Sequence, residues 1–179
     1  MRFTLACLLL FASTHLLMAE RQAFPPTAVG TSEIKILPAG VLLRSESAGG
    51  TYFENSGTLF RPLFRYIDRR SIAMTTPVEA RVTPARMYFW VAESEHGKVD
   101  GDADGVNVIR LPERTVASRG ARGSYSRSNF ESVRDELVAW LASNPDWQSD
   151  GEPYPVYWNG PATPWFAKRF EVHVPVKAR

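Results

Sequence analysis

The constraint that dominates this chain is a change of apolar period that happens twice. Within Thr51–Arg69, Phe60, Leu63, Phe64 and Ile67 recur at i, i+3, i+4 and i+7, one face of a helix. Arg61, Arg65 and Arg69 make a basic stripe beside that face. Pro62 sets the expectation that regular helix begins near Arg61, with the proline in its first turn. A second helix is expected to open at Ser128, with Glu131 three residues on as a capping box. Its apolar face is Phe130, Val133, Leu137, Trp140 and Leu141, and Asn144-Pro145 ends it.

Around each helix the pattern is that of strands broken by turn residues. Glu33–Leu37 and Val41–Arg44 flank Pro38-Ala39-Gly40, and Ile72–Val82 and Met87–Glu93 flank Pro84. In the second half, Asn107–Leu111 and Thr115–Gly120 flank Pro112, then Val156–Asn159 and Arg169–Val176 follow the helix. In the last strand Phe170, Val172, Val174 and Val176 share one face, with Glu171 and His173 on the other. Each half reads as strand, strand, helix, strand, strand. Two helices on a curved antiparallel sheet is an α+β solution, here expected as two similar repeats.

Thirteen prolines and twelve glycines suit such a strand-rich chain better than a helical bundle. With 179 residues, 44% of them hydrophobic, the chain can bury a full core and is not a disordered segment. Lys and Arg number 21 against 19 Asp and Glu, a balance that argues against a dedicated nucleic-acid binder.

The first residues follow a different logic. Arg2, the apolar run Phe3–Ala12 and the small residue Ala19 form the three parts of a secretory signal peptide. Cleavage is expected after Ala19, which makes residues 20–32 a polar lead-in to a domain spanning 33–176. The alternative is an uncleaved anchor, but Ser13, Thr14 and His15 interrupt the run. Cys7, the single cysteine, would leave with the leader. The exported chain, periplasmic or extracellular, would hold no disulfide and no thiolate metal site. It would also have no membrane partner.

Several segments in order then carry a likeness. Leu63-Phe64-Arg65-Tyr66-Ile67, Ile72-Ala73-Met74-Thr75-Thr76-Pro77-Val78 and Leu111-Pro112-Glu113-Arg114-Thr115-Val116-Ala117 resemble the SOUL haem-binding family. So does the closing run Tyr157-Trp158-Asn159-Gly160-Pro161-Ala162-Thr163-Pro164-Trp165-Phe166, followed by Arg169-Phe170-Glu171-Val172. The resemblance implies a distorted antiparallel β-barrel of two helix-bearing repeats, similar to gyrase-inhibitor-like effector domains. It implies non-covalent, non-catalytic binding of haem or a related tetrapyrrole.

Carried over by position, the tetrapyrrole would lie against Phe60 and Phe64 with Arg61 and Arg65 beside them. Thr163, Trp165 and Lys168 would form the opposite lip. The chemistry agrees, since a flat apolar disc with two carboxylates wants aromatic walls and cations at its edge. The competing reading makes the phenylalanines plain core and the arginines a solvated face. Thr163 stands where some family members carry a lysine.

Among candidate iron ligands, His173 is on the last strand and His96 in a polar hairpin, while Met74, Met87, Tyr66 and Tyr157 are alternatives in principle. Glu171 is a separate candidate. In a groove between the repeats it would hold a cationic or amphipathic molecule; otherwise it pairs with a neighbour such as Arg169. Asp100, Asp102 and Asp104 sit at the alternating spacing of a calcium loop, with Gly105 for the turn. The twelfth position is Leu111 rather than Glu, so the alternative is a plain acidic hairpin tip. No nucleophile elbow, phosphate loop or zinc motif is present, which argues against an enzyme.

Overall fold

The computed structural model describes residues 21–179, so the expected signal peptide, with Cys7 and His15, lies outside the described residues. The first half contains β1 (Ser32–Leu37), β2 (Gly40–Glu46), α1 (Tyr52–Arg69), β3 (Val78–Arg81) and β4 (Arg86–Val91). The second contains β5 (Asn107–Leu111), β6 (Arg114–Arg122), α2 (Arg127–Ala142), β7 (Trp147–Ser149), β8 (Tyr154–Tyr157) and β9 (Arg169–Ala178). Short 3-10 turns cover Glu93–Lys98 and Trp165–Ala167.

The strands pair antiparallel in the order β1-β6-β9-β8-β3-β4-β2-β5, with β7 added on β9. Exchanging the halves (β1 for β5, β2 for β6, β3 for β8, β4 for β9) turns this order into its own reverse. The duplication read from the sequence is therefore a pseudo-two-fold, with the β3–β8 pair at its centre. The result is a curled antiparallel half-barrel carrying two helices. Helix α1 packs on β2 and β4, and α2 on β6 and β9.

Strand alternation divides the interior into two cores, because both faces of the sheet are covered. Leu43, Met87, Phe89, Phe170, Val172 and Val174 face the helices and meet Leu59, Leu63, Phe130 and Leu137. On the opposite face Leu42, Trp90, Tyr154, Val156 and Trp158 form a second cluster around Phe24. Phe24 belongs to the lead-in, so residues 21–31 are part of the fold rather than a preface to it. Ala23 and Thr76 pair by a 2.7 Å backbone hydrogen bond, and Gly30 donates to Gly120 O at 2.8 Å. A Cβ at Gly120 would lie 2.5 Å from the carbonyl oxygen of Thr27, so this crossing requires glycine there.

Both helix starts differ from the expectation. Helix α1 begins at Tyr52, because Thr51 and Glu54 form a capping box: the Thr51 N–H donates to the Glu54 carboxylate at 2.7 Å. Pro62 is therefore interior. Its missing N–H would have bonded to the carbonyl of Thr58, an exposed residue. Helix α2 is capped by Ser126, whose Oγ accepts from Asn129 N at 3.2 Å; Glu131 takes no part. Residues 72–77 are not strand, and β7 had no strand-like signature.

Candidate functional site

A cavity of about 620 Å³ opens between the first turns of α1, the Tyr125–Arg127 link into α2 and the segment after β8. That volume falls within the ~300–1,000 Å³ of ordinary small-molecule sites. The walls are aromatic. Tyr52 stacks on Tyr157 with centroids 5.6 Å apart at 21°, and Tyr125 meets Tyr157 at 4.3 Å. Phe60 lies edge-on to Phe89 at 5.4 Å. Met74 and Met87 add two thioethers to the lining.

The charged groups of the lining, Arg127 and Lys168, are of one sign. Arg127 donates to Thr51 Oγ1 at 2.8 Å and lies 5.2 Å from the Phe53 ring centroid. The ammonium of Lys168 sits 5.0 Å from the Tyr125 ring centroid. No carboxylate lines the cavity among the described residues. Burial pushes the Tyr52 and Tyr157 hydroxyls up, so both stay protonated at physiological pH.

The residues expected to form the site are only partly brought together here. Phe60 and Lys168 line the cavity. Phe64 stacks on Phe60 with centroids 5.7 Å apart at 16°, yet it is half exposed and outside the lining. Arg61 and Arg65 are exposed and also outside it. Thr163 and Trp165 belong to a turn beyond the lining, and Trp165 is 68% exposed. Arg127, Tyr125 and Tyr52 were missed. They precede or open a helix and carry no periodic signal, so only the folded geometry assembles them.

His173 is neither a surface histidine nor within reach of the cavity. It is fully buried on the sheet face away from the helices, 5.9 Å from the Phe24 ring and 5.4 Å from the Tyr154 ring. It therefore cannot ligate a group held in the cavity. Burial pushes its imidazole down, so it stays neutral and its Nε2–H donates to Glu171 Oε2 at 2.6 Å. His96 lies elsewhere, its Nε2 3.2 Å from Val91 O, beside a second cavity of about 580 Å³ with Glu93 and Arg110.

Glu171 is not open to a ligand either. Oε1 accepts from Thr27 N at 2.6 Å and Trp158 Nε1 at 2.9 Å. Oε2 accepts from Ser118 Oγ at 2.9 Å, from His173, and from Lys35 Nζ at 3.2 Å. Burial pushes this carboxyl up, but His173, Lys35 and the Thr27 N–H outweigh it and hold it down at about 2. The groove proposed for a cationic guest is filled by the lead-in, with Phe24 edge-on to Trp158 and Trp90. Glu79 mirrors this arrangement, accepting from Trp90 Nε1 at 3.0 Å and pairing with Arg114 at 2.5 Å.

The aspartates of the calcium-like loop turn to three different partners. Asp100 accepts from Arg70 at 2.7 Å, Asp104 from Arg69 at 2.8 Å, and Asp102 from Val108 N at 2.7 Å. Among the described residues no group of three acidic, histidine or cysteine side chains converges on a metal position. The loop is a braced hairpin tip.

The sequence model of one family, described as SOUL heme-binding protein, matches residues 23–175. No curated protein sequence matches the chain. Among solved structures, the C-terminal domain of EcmrR superposes with a TM-score of 0.64 at 14% identity, covering 82% of this chain and 97% of that one. An uncharacterized conserved protein from Listeria innocua superposes at 0.57 with 13% identity, covering 83% and 93%. A protein described as a hydrolase from Listeria innocua reaches 0.56 at 12% identity, covering 84% and 94%. At such identities the likeness is one of fold.

Proposed function

The chain belongs to the SOUL haem-binding family, and from that premise we propose that the aromatic cavity holds haem or a related dicarboxylate tetrapyrrole non-covalently. The observation that carries this reading is the charge of the lining: aromatic walls, Arg127 and Lys168, and no carboxylate. An apolar disc with anionic edges fits that lining, and an organic cation does not. Tyr52, Tyr157 and Phe60 would cover the faces of the ring. Arg127 and Lys168 would meet its carboxylates.

Bound haem would supply an open iron coordination position. No histidine lines the cavity among the described residues; of the candidate ligands named above, Met74, Met87 and Tyr157 do. Holding by walls and edge charges suits a carrier or buffer, and such a site accepts metal-free porphyrin as well. A catalytic role draws no support from the Ser118–Glu171–His173 contacts. His173 and Ser118 both bond to Glu171 and not to each other, and all three are buried. Export of the chain is part of the proposal and rests on the leader pattern of residues 2–19. N-terminal sequencing of the protein from its host, beginning at Glu20, would support it.

Titration of the purified protein with haemin and with protoporphyrin IX tests the site. We expect saturable one-to-one binding that weakens at least tenfold in R127E/K168E. Charge-assisted hydrogen bonds contribute roughly 1.5–3 kcal/mol each. R61E/R65E, on the exposed helix face, should bind as the parent does. Absence of saturable binding, or equal binding by R127E/K168E, would overturn the assignment.

A further inference from the structure

The turn between β8 and β9 ends in an apolar tip that the cavity does not use. Trp165 and Phe166 are 68% and 63% exposed, with centroids 5.9 Å apart in an edge-on pair. Pro161, Ala162 and Pro164 beside them are exposed as well. Two adjacent aromatic rings held out into solvent stand apart from the other tryptophans and phenylalanines among the described residues, which are all more deeply buried.

The tip is rigid. Thr163 N donates to Gly160 O at 3.2 Å, Ala167 N to Pro164 O at 2.9 Å, and Lys168 N to Pro164 O at 3.1 Å. Its base is tied down by Arg169 N to Asn159 Oδ1 at 2.6 Å and by Gly123 N to Lys168 O at 3.0 Å. Swinging the backbone of the turn over the cavity would break these bonds. The rings are thus presented outward by the turn itself and do not act as a lid.

Charge says what they are presented to. The turn and its neighbours, residues 153–170 and 120–130, contain no Asp or Glu but hold Arg122, Arg127, Lys168 and Arg169. Arg122 and Arg169 are exposed and lie opposite each other on β6 and β9. Over the whole chain the two signs nearly balance, so this is a local segregation. Aromatic rings that enter the headgroup layer, with cations around them, are the two signals that reversible docking on an anionic bilayer requires.

We propose that the Trp165-Phe166 tip, with Arg122 and Arg169 beside it, docks this domain on an anionic lipid surface. This departs from the expectation of a chain without a membrane partner. No helix among the described residues is long and apolar enough to span a bilayer, so the contact is peripheral. Asn159, Gly160 and Pro161, at the base of the same turn, line the cavity. Docking therefore brings the cavity to the lipid surface, where an apolar ligand partitions.

The test is co-sedimentation of the purified protein with phosphatidylcholine vesicles, with and without about one third phosphatidylglycerol. We expect binding to the anionic vesicles, little to the neutral ones, and loss at about 0.5 M NaCl, where screening is nearly complete. W165S/F166S should weaken vesicle binding at least tenfold, and R122E/R169E about tenfold, while haemin titration of W165S/F166S matches the parent. That last arm separates this proposal from the cavity assignment, since either can fail alone. Docking is overturned if the parent does not sediment with anionic vesicles, or if W165S/F166S sediments equally well. It is also overturned if that variant loses haemin binding but not vesicles, making the tip a lid. Loss of self-association with no vesicle binding would make the tip a contact between copies, and equally overturns it.

Discussion

Glu171 shows how a single residue can keep its chemistry and lose its expected role. A carboxylate near the start of the last strand, read alone, is either a surface pair or a ligand-groove acid. The structure makes it the hub of donors from five residues, His173 on its own strand and four on other segments, with side-chain exposure of 1%. Its charge balances Lys35, whose own side chain is only 12% exposed. Removing one member of a buried charged pair costs about 3–5 kcal/mol, because the other is left uncompensated. Glu171→Gln should therefore lower the unfolding free energy by about 3 kcal/mol in urea melts and leave haemin affinity unchanged. A variant that melts like the parent but loses the ligand would return Glu171 to a binding role. Little in the sequence announces the hub, since three of its donors, Ser118, Lys35 and Thr27, lie 53, 136 and 144 residues away.

Among elements, the lead-in is the one whose importance was least legible. Arg21–Ser32 is polar and contains Pro25-Pro26, which reads as a linker. One aromatic residue, Phe24, gave no period to detect. Yet Phe24 is 5% exposed and wedges between Trp90, Trp158 and His173. Phe→Ala in such a setting costs about 3–5 kcal/mol through lost burial and the cavity left behind. Phe24→Ala is expected to lose that much in thermal or urea unfolding. A chain beginning at residue 33 should lose more, since it also strips Thr27 from Glu171. If the shortened chain melts like the full one, the lead-in is decoration. The helices were more legible: α2 buries Phe130, Val133, Leu137 and Leu141 of its marked face, and α1 buries Leu63 and Ile67, while Phe64 of the same marked face stays half exposed. Their first turns were misjudged because Thr51 and Ser126 cap without regard to the apolar pattern.

At the scale of the whole molecule, the duplication was readable from the repeated element pattern, but the palindromic strand order and the second core were not. Alternation along β9 suggested one buried and one open face, and a covering segment from far along the chain closed the other. Sealing that face fixes how the fold responds to acid. His173 is buried neutral, with its pKa pushed down, while the unfolded chain takes up a proton at the ordinary histidine value near 6.5. Between its lowered folded value and 6.5 the unfolded state binds more protons, so stability is full above about 6.5 and falls as pH drops. Glu171, held at about 2 against an ordinary 4.5, adds a second loss that begins near 4.5 and deepens towards 2. Glu46, Glu54 and Glu95, each held down by hydrogen bonds or by paired cations, join in that lower range. The urea midpoint should thus decline in two stages between about pH 7.5 and 3. His173→Gln keeps a donor to Glu171 but cannot take a second proton, so it should flatten the first stage and spare the second. A midpoint that is level from pH 7.5 to 5 in the parent, or a first stage that survives in His173→Gln, would place the acid response elsewhere than in this sealed face.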